Sequence, residues 1–314
     1  MLLHDMLNIK YPIIQGAMAN IADAEFAAAV SNAGGLGILA TGMMDGDQAR
    51  QEINKLLQLT DKPFGVNMML KNPHSQEIAQ VITELKPAVV TTGAGNPLPY
   101  MDAFKQAGIK VFPVVPNVKL AQRMEAAGAD AIIAEGTEAG GHVGELATMA
   151  LIPQIVDSVK IPVVAAGGIG DGRGLMAALA LGAIGVQIGT VLLASEECLI
   201  HPNFKEAMVH ASESDTVVTG RSIRVPVRIL RNQMSEKYLQ LEHAGASRDE
   251  LENLTVGALG RAVYEGDMET GSAMMGQITG MIKEIRPIKD ILEDIVSTSK
   301  PVLERLNTLY PKNW

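Results

Sequence analysis

Cysteine is nearly missing from this chain: Cys198 is the one thiol in 314 residues. A lone thiol excludes an intramolecular disulfide and any zinc site built from the chain's own thiolates. Aromatic residues make up 4% against 47% hydrophobic residues overall, so the core has to be aliphatic. Long apolar runs are missing too. No apolar run uninterrupted by polar or charged residues reaches the length of a membrane span, and no basic segment followed by an apolar one opens the chain, so a cytoplasmic protein is expected. Positive charge is in deficit, with 26 Lys and Arg against 35 Asp and Glu. Nucleic-acid binding, which needs clustered cations against phosphate, is not expected. Four signatures are absent as well: GxGxxG, the Walker A loop, the GxSxG elbow and HExxH. The corresponding dinucleotide, P-loop, serine-hydrolase and zinc-helix readings fall away, and no metal site is expected.

What is present is an eightfold alternation. Short apolar runs begin near Pro12, Leu36, Phe64, Ala88, Lys110, Ala131, Pro162 and Gly185, each followed by an amphipathic stretch. Their spacing of about 20–30 residues is that of a strand plus a crossover helix. The runs do not alternate with polar residues, as suits parallel strands buried on both faces. Eight such units predict a (β/α)8 TIM barrel. The strand pattern stops after about Ser195. Residues 201–264 are charged and read as a helical cap, leaving 1–200 with 265–314 as the barrel. The last part, 291–310, reads as a final helix.

In such barrels the chemistry sits at the C-terminal strand ends, and loops after the seventh and eighth strands often take phosphate. The seventh run ends in Gly167 and Gly168 just before a helix starting near Asp171 and Gly172. The eighth ends in Gln187, Gly189 and Thr190. Glycine amides and a helix start would bind an anion, and Thr190 would add a hydroxyl, or the glycines simply make tight turns. The sixth run leads through Glu135 into a glycine-rich loop ending at His142. That histidine suits proton transfer or is a structural loop residue, and Glu135 accepts bonds from a ligand's hydroxyls or braces the loop. Asn67 inside the apolar third run needs a partner. Thr92 and Gly93 end the fourth run in an open polar turn. His74 follows the third run and can touch the pocket rim, whereas His4, His201, His210 and His243 lie away from strand ends. Cys198 reads as a small buried residue. Arg221, Arg224, Arg228 and Arg231 recur at three- and four-residue steps, which on a helix gives one cationic face, either solvated or meeting an acidic partner.

Taken together, several segments resemble the flavin-dependent enoyl-acyl carrier protein reductases (type II), within the nitronate monooxygenase-like FMN barrels. They are residues 11–16 (YPIIQG), 31–37 (SNAGGLG), 61–67 (DKPFGVN), 91–97 (TTGAGNP), 113–116 (PVVP), 134–142 (AEGTEAGGH), 165–169 (AAGGI) and 271–277 (GSAMMGQ). The resemblance implies reduction of trans-2-enoyl-acyl carrier protein by NADH or NADPH through FMN, with acyl carrier protein as partner, a homodimer and a monovalent cation. The related nitronate monooxygenases would instead use O2 and no nicotinamide. By resemblance, FMN is held by Ala17, Met18 and Ala19 after the first strand and by Asn67. Glu135, Gly140 and Gly141 would hold it from the sixth, and Gly167, Gly168, Gln187, Gly189 and Thr190 from the last two. His142 matches the active-site histidine, and Thr92, Gly93, Met274 and Met275 fall where substrate is enclosed. Two positions depart from the pattern: Asn20 stands where an aromatic is common, and Val191 and Leu192 where Arg and Phe are.

Overall fold

The eight apolar runs become the eight strands of a parallel barrel in a computed structural model that describes residues 2–309. Met1 of the expected 1–200 segment and 310–314 of the expected 265–314 segment, with Tyr310 of the final helix, lie outside the described residues. The strands are β1 (Ile13–Gln15), β2 (Gly37–Ala40), β3 (Phe64–Met69), β4 (Val89–Gly93), β5 (Lys110–Val115) and β6 (Ile132–Glu135). A two-residue strand outside the barrel, β7 (Gly141–His142), precedes β8 (Val163–Ala166) and β9 (Gly185–Ile188). Their spatial order is β1-β9-β8-β6-β5-β4-β3-β2. The ring closes where Leu36 donates to Ile13 and accepts from Gln15, each at 2.9 Å.

Alternate residues divide two cores. Ile14, Ile38, Phe112, Ile133 and Val164 fill the barrel interior, joined by Leu3 and Leu7 of the helix Leu3–Leu7 that stops its N-terminal end. Ile13, Leu39, Val66, Val90, Ile132 and Val186 face the surrounding helices. Burial on both faces is why these runs carry no polar alternation. The final helix Ile288–Leu309 packs on the helix Gly172–Ala180, so closely that a β-carbon on Gly172 would lie 2.3 Å from the Ser299 amide.

The stretch 201–264 is a mixed cap, which corrects the wholly helical expectation. Helices Pro202–His210, Gln233–His243 and Arg248–Thr255 are present, but so are β10 (Thr216–Thr219) and β11 (Val227–Leu230). These two strands form an antiparallel sheet with β7, in the order β10-β11-β7. Val217, Ile229, Met234, Tyr238, Leu251 and Ala258 give the cap a small core of its own. The arginine row is therefore not a helix face. Gly220 turns in the left-handed region at φ +79°, and Arg221 and Arg224 lie in the connection after it. Arg228 is buried in β11, and Arg231 pairs with Glu236 at 2.9 Å. No described helix is long and apolar enough to cross a membrane.

Candidate active site at the barrel mouth

All the C-terminal strand ends point to one mouth, and the glycine pair after β8 shapes its floor. Gly167 and Gly168 both have positive φ, +93° and +73°, a conformation that side chains rarely tolerate. A β-carbon on Gly167 would also lie 2.8 Å from the Gly136 carbonyl, so the loops after β6 and β8 touch. Glu138 secures that contact by accepting the Thr148 amide and hydroxyl, while Thr148 Oγ1 lies 2.9 Å from the Gly167 carbonyl. The amides of Gly167, Gly168, Gly189 and Thr190 donate to no backbone group among the described residues. These four N–H groups are left without protein acceptors among the described residues.

The start of the helix Gly172–Ala180, expected to receive phosphate, is occupied by its own cap. Asp171 caps it, accepting the amides of Arg173 and Gly174 at 2.9 and 3.2 Å and the Arg173 guanidinium at 2.7 Å. Its own carboxylate already fills the place an anion would take. Thr190 is also partly committed, because its Oγ1 accepts the Gly276 amide at 2.8 Å.

Gly276 belongs to the returning stretch 271–277, which crosses the His142 loop. A β-carbon on Gly140 would lie 2.7 Å from Met275 Cα, and the Gln277 amide donates to Glu138 O at 2.9 Å. Met274 is half-buried, with its Sδ 3.5 Å from where a Gly141 β-carbon would be. Met275 is fully buried in the layer between strands and helices, whereas Met274 packs against the core of the cap.

His142 is exposed on β7, directly opposite Val227 of the cap, and the next amide, Val143, donates to Pro226 O at 3.1 Å. The surrounding protein lowers its pKa, with the positive charge of Lys71 adding to the effect, which favours the neutral ring. Glu135 lies at the end of β6, and burial pushes its carboxyl up to about 7. No donor bonds that carboxyl among the described residues. Asn67 Nδ2 donates to Thr91 Oγ1 at 2.9 Å, so a neighbouring strand satisfies its amide nitrogen. Gln187 and Thr92 are buried, whereas Gly93 opens on free space, with nothing within 4 Å of an added β-carbon. Across the mouth, Met18 Sδ comes within 3.7 Å of a Gly189 β-carbon, Ala17 is half-buried and Ala19 exposed.

Tyr264 of the cap escaped the sequence reading, and Arg228, read there as part of a cationic row, has another role. Tyr264 donates its hydroxyl to Asn20 O at 3.0 Å, setting an aromatic ring beside the turn after β1. Arg228 bonds the Thr137 carbonyl. The sequence carries a signal only for the second, in the β-branched pattern around Pro226. Cys198 is buried and its thiol is pushed up to about 11, which leaves it unreactive. His74 Nδ1 lies 3.3 Å from Glu77.

A family model described as nitronate monooxygenase matches residues 1–84 and 73–298. The chain belongs to the nitronate monooxygenase family. Within this family it is similar to a probable nitronate monooxygenase of Staphylococcus saprophyticus, 32% identical over 96% of this chain and 98% of that one. A solved structure, FabK from Thermotoga maritima, is 49% identical with a TM-score of 0.95 over 98% of both chains. Nitroalkane oxidase from Streptomyces ansochromogenes is 29% identical, with a TM-score of 0.85 over 96% of this chain and 99% of that one. The chain is thus an enzyme of an oxidoreductase family whose members are flavin enzymes. The site fits such a group: amides without backbone partners suit its phosphate, and a half-buried carboxyl with no donor among the described residues suits a hydroxyl of its chain.

Proposed function

We propose that this chain binds FMN at the barrel mouth and reduces trans-2-enoyl thioesters carried on acyl carrier protein, with NADH or NADPH as the reductant. The observation that carries this reading is the 49% identity to FabK, a type II enoyl-acyl carrier protein reductase, along practically the whole of both chains. When bound, the flavin supplies hydride transfer between nicotinamide and substrate. The protein's part is binding, orientation and electrostatics. Amides of Gly167, Gly168, Gly189 and Thr190 hold the phosphate. Glu135, carrying a proton over much of the neutral range, donates to or accepts from a ribityl hydroxyl. Asn67 and Gln187 serve the polar edge of the ring. His142, with its neutral ring favoured, donates an N–H to the negative charge that develops on the thioester oxygen. Met274 and the cap keep water from the reacting atoms. A homodimeric assembly and a monovalent cation belong to the same proposal.

A second reading has its own support, because the family model and the Staphylococcus relative carry the name nitronate monooxygenase. In that reading His142 orients or deprotonates a nitroalkane, and nicotinamide is unnecessary.

The flavin's visible absorption separates the two. Under anaerobic conditions, bleaching by NADH or NADPH followed by recovery on adding a trans-2-enoyl thioester is expected. A flavin indifferent to nicotinamide, in a protein that turns over alkyl nitronates with O2, would establish the second reading instead. His142→Ala should keep its flavin and lose on the order of a hundredfold in turnover. A loss of only a few-fold would mean that His142 is not the donor to the thioester oxygen.

A further inference from the structure

Arg228 is an unusual cation. It is 6% exposed, no carboxylate lies within ion-pair distance of it among the described residues, and its nearest charged influences are Glu138 and the like charge of Arg221. A buried charge without a counter-ion is costly, and an apolar residue of similar volume often fills such a place with no loss. What the guanidinium does there is specific. Nε and Nη2 converge on a single acceptor, the Thr137 carbonyl, at 3.1 and 3.0 Å, and Nη1 donates to Thr216 Oγ1 at 3.1 Å. The planar fork of arginine makes such a double bond to one oxygen, and a lysine cannot.

The acceptor's position gives the arrangement its meaning. Thr137 is two residues beyond Glu135, and the main chain of Arg228 is paired with Gly141, the residue before His142. One residue of the cap therefore grips the Glu135-to-His142 loop at both ends, by its side chain at one and by its backbone at the other. Within the loop Thr137 is held by its amide, which donates to Leu146 O at 2.8 Å, while its own buried hydroxyl has no partner among the described residues, so the grip on its carbonyl comes from Arg228.

We infer that Arg228 is the positioning residue of the His142 loop: it sets where His142 stands relative to Glu135 and acts on the reaction through His142, without touching substrate. This rests on the proposed role of His142 as donor to the substrate. A misplacement of about 1 Å in a reacting group commonly costs on the order of a hundredfold in rate.

The test uses the flavin-loaded enzyme and four variants: Arg228→Gln, Arg228→Lys, His142→Ala, and Arg228→Gln combined with His142→Ala. With a trans-2-enoyl thioester, Arg228→Gln should lower kcat on the order of ten- to a hundredfold with KM changed less than about threefold. Arg228→Lys, which keeps one donor to Thr137, should recover part of kcat, and it serves as the reporter if Arg228→Gln folds poorly. The combined variant should be no slower than His142→Ala alone, because both changes remove the same interaction. An additive loss in the combined variant, or an unchanged kcat in Arg228→Gln and Arg228→Lys, overturns the inference while leaving His142 in place. A neutral His142→Ala overturns the His142 role first and this inference with it.

Discussion

Gly140 and Met275 are in direct backbone contact: a β-carbon on Gly140 would lie 2.7 Å from Met275 Cα and 2.9 Å from the Gly276 amide nitrogen. The histidine loop and the returning stretch are therefore pressed together with no room for a side chain. Gly140→Ala must displace main chain, not a flexible side-chain tip. It is expected to cost about 1–3 kcal/mol of stability and to weaken flavin retention. Urea denaturation together with FMN fluorescence titration checks both. A variant as stable as the parent would show that the two segments separate easily.

Glu135 makes a pH prediction with a definite sign. Its carboxyl is raised from 4.5 to about 7 by burial. Between those values the folded chain keeps a proton that the unfolded chain releases, so this group's contribution to stability falls as pH rises through that window. For the flavin-free protein the total is roughly 3 kcal/mol. Glu135→Gln removes the titration, so parent and variant should diverge between pH 4.5 and 7, the variant gaining relative stability. Denaturant melts on either side of that window measure the divergence. Parallel curves would place the Glu135 carboxylate in a more solvated setting.

Asp171 separates two places for the flavin phosphate. If the phosphate rests on the free amides after β8 and β9, Asp171→Ala should cost about 1 kcal/mol of stability through the lost cap. FMN affinity should stay within about threefold, or tighten as a nearby negative charge is removed. Fluorescence titration of the variant decides it. An affinity loss well beyond that range would mean that the capped helix contributes to the cradle after all.

The barrel was legible because its strands are buried on both faces, which writes them as largely apolar runs such as 163–166. The cap strands left no such trace. Their β-branched residues are a local signal, but β11 pairs with a two-residue strand far away in sequence, so nothing local announces that they join the histidine loop in one sheet. The steps from Arg221 to Arg231 match a helical period by coincidence, and Pro226 with Gly220 was the clue against it. At the site, the glycine pair after β8 could be read from its neighbours. The Asp171 cap was equally visible, as an acidic residue before a helix, but an anion and a carboxylate compete for the same amides and sequence does not say which one wins. Met274 and Met275 are adjacent in an irregular stretch, and only tertiary contacts reveal which of them the barrel's outer core takes.

The sheet β10-β11-β7 has a consequence for how such an enzyme can change over time. Since β7 ends in His142, the cap is not a detachable lid laid over a finished site; it is one wall of the frame on which the histidine hangs. A cap exchanged for a differently folded insert would take with it the backbone partners of Gly141, His142 and Val143. Substrate range in this scaffold is therefore more readily retuned by side chains inside the existing cap than by swapping the cap as a module.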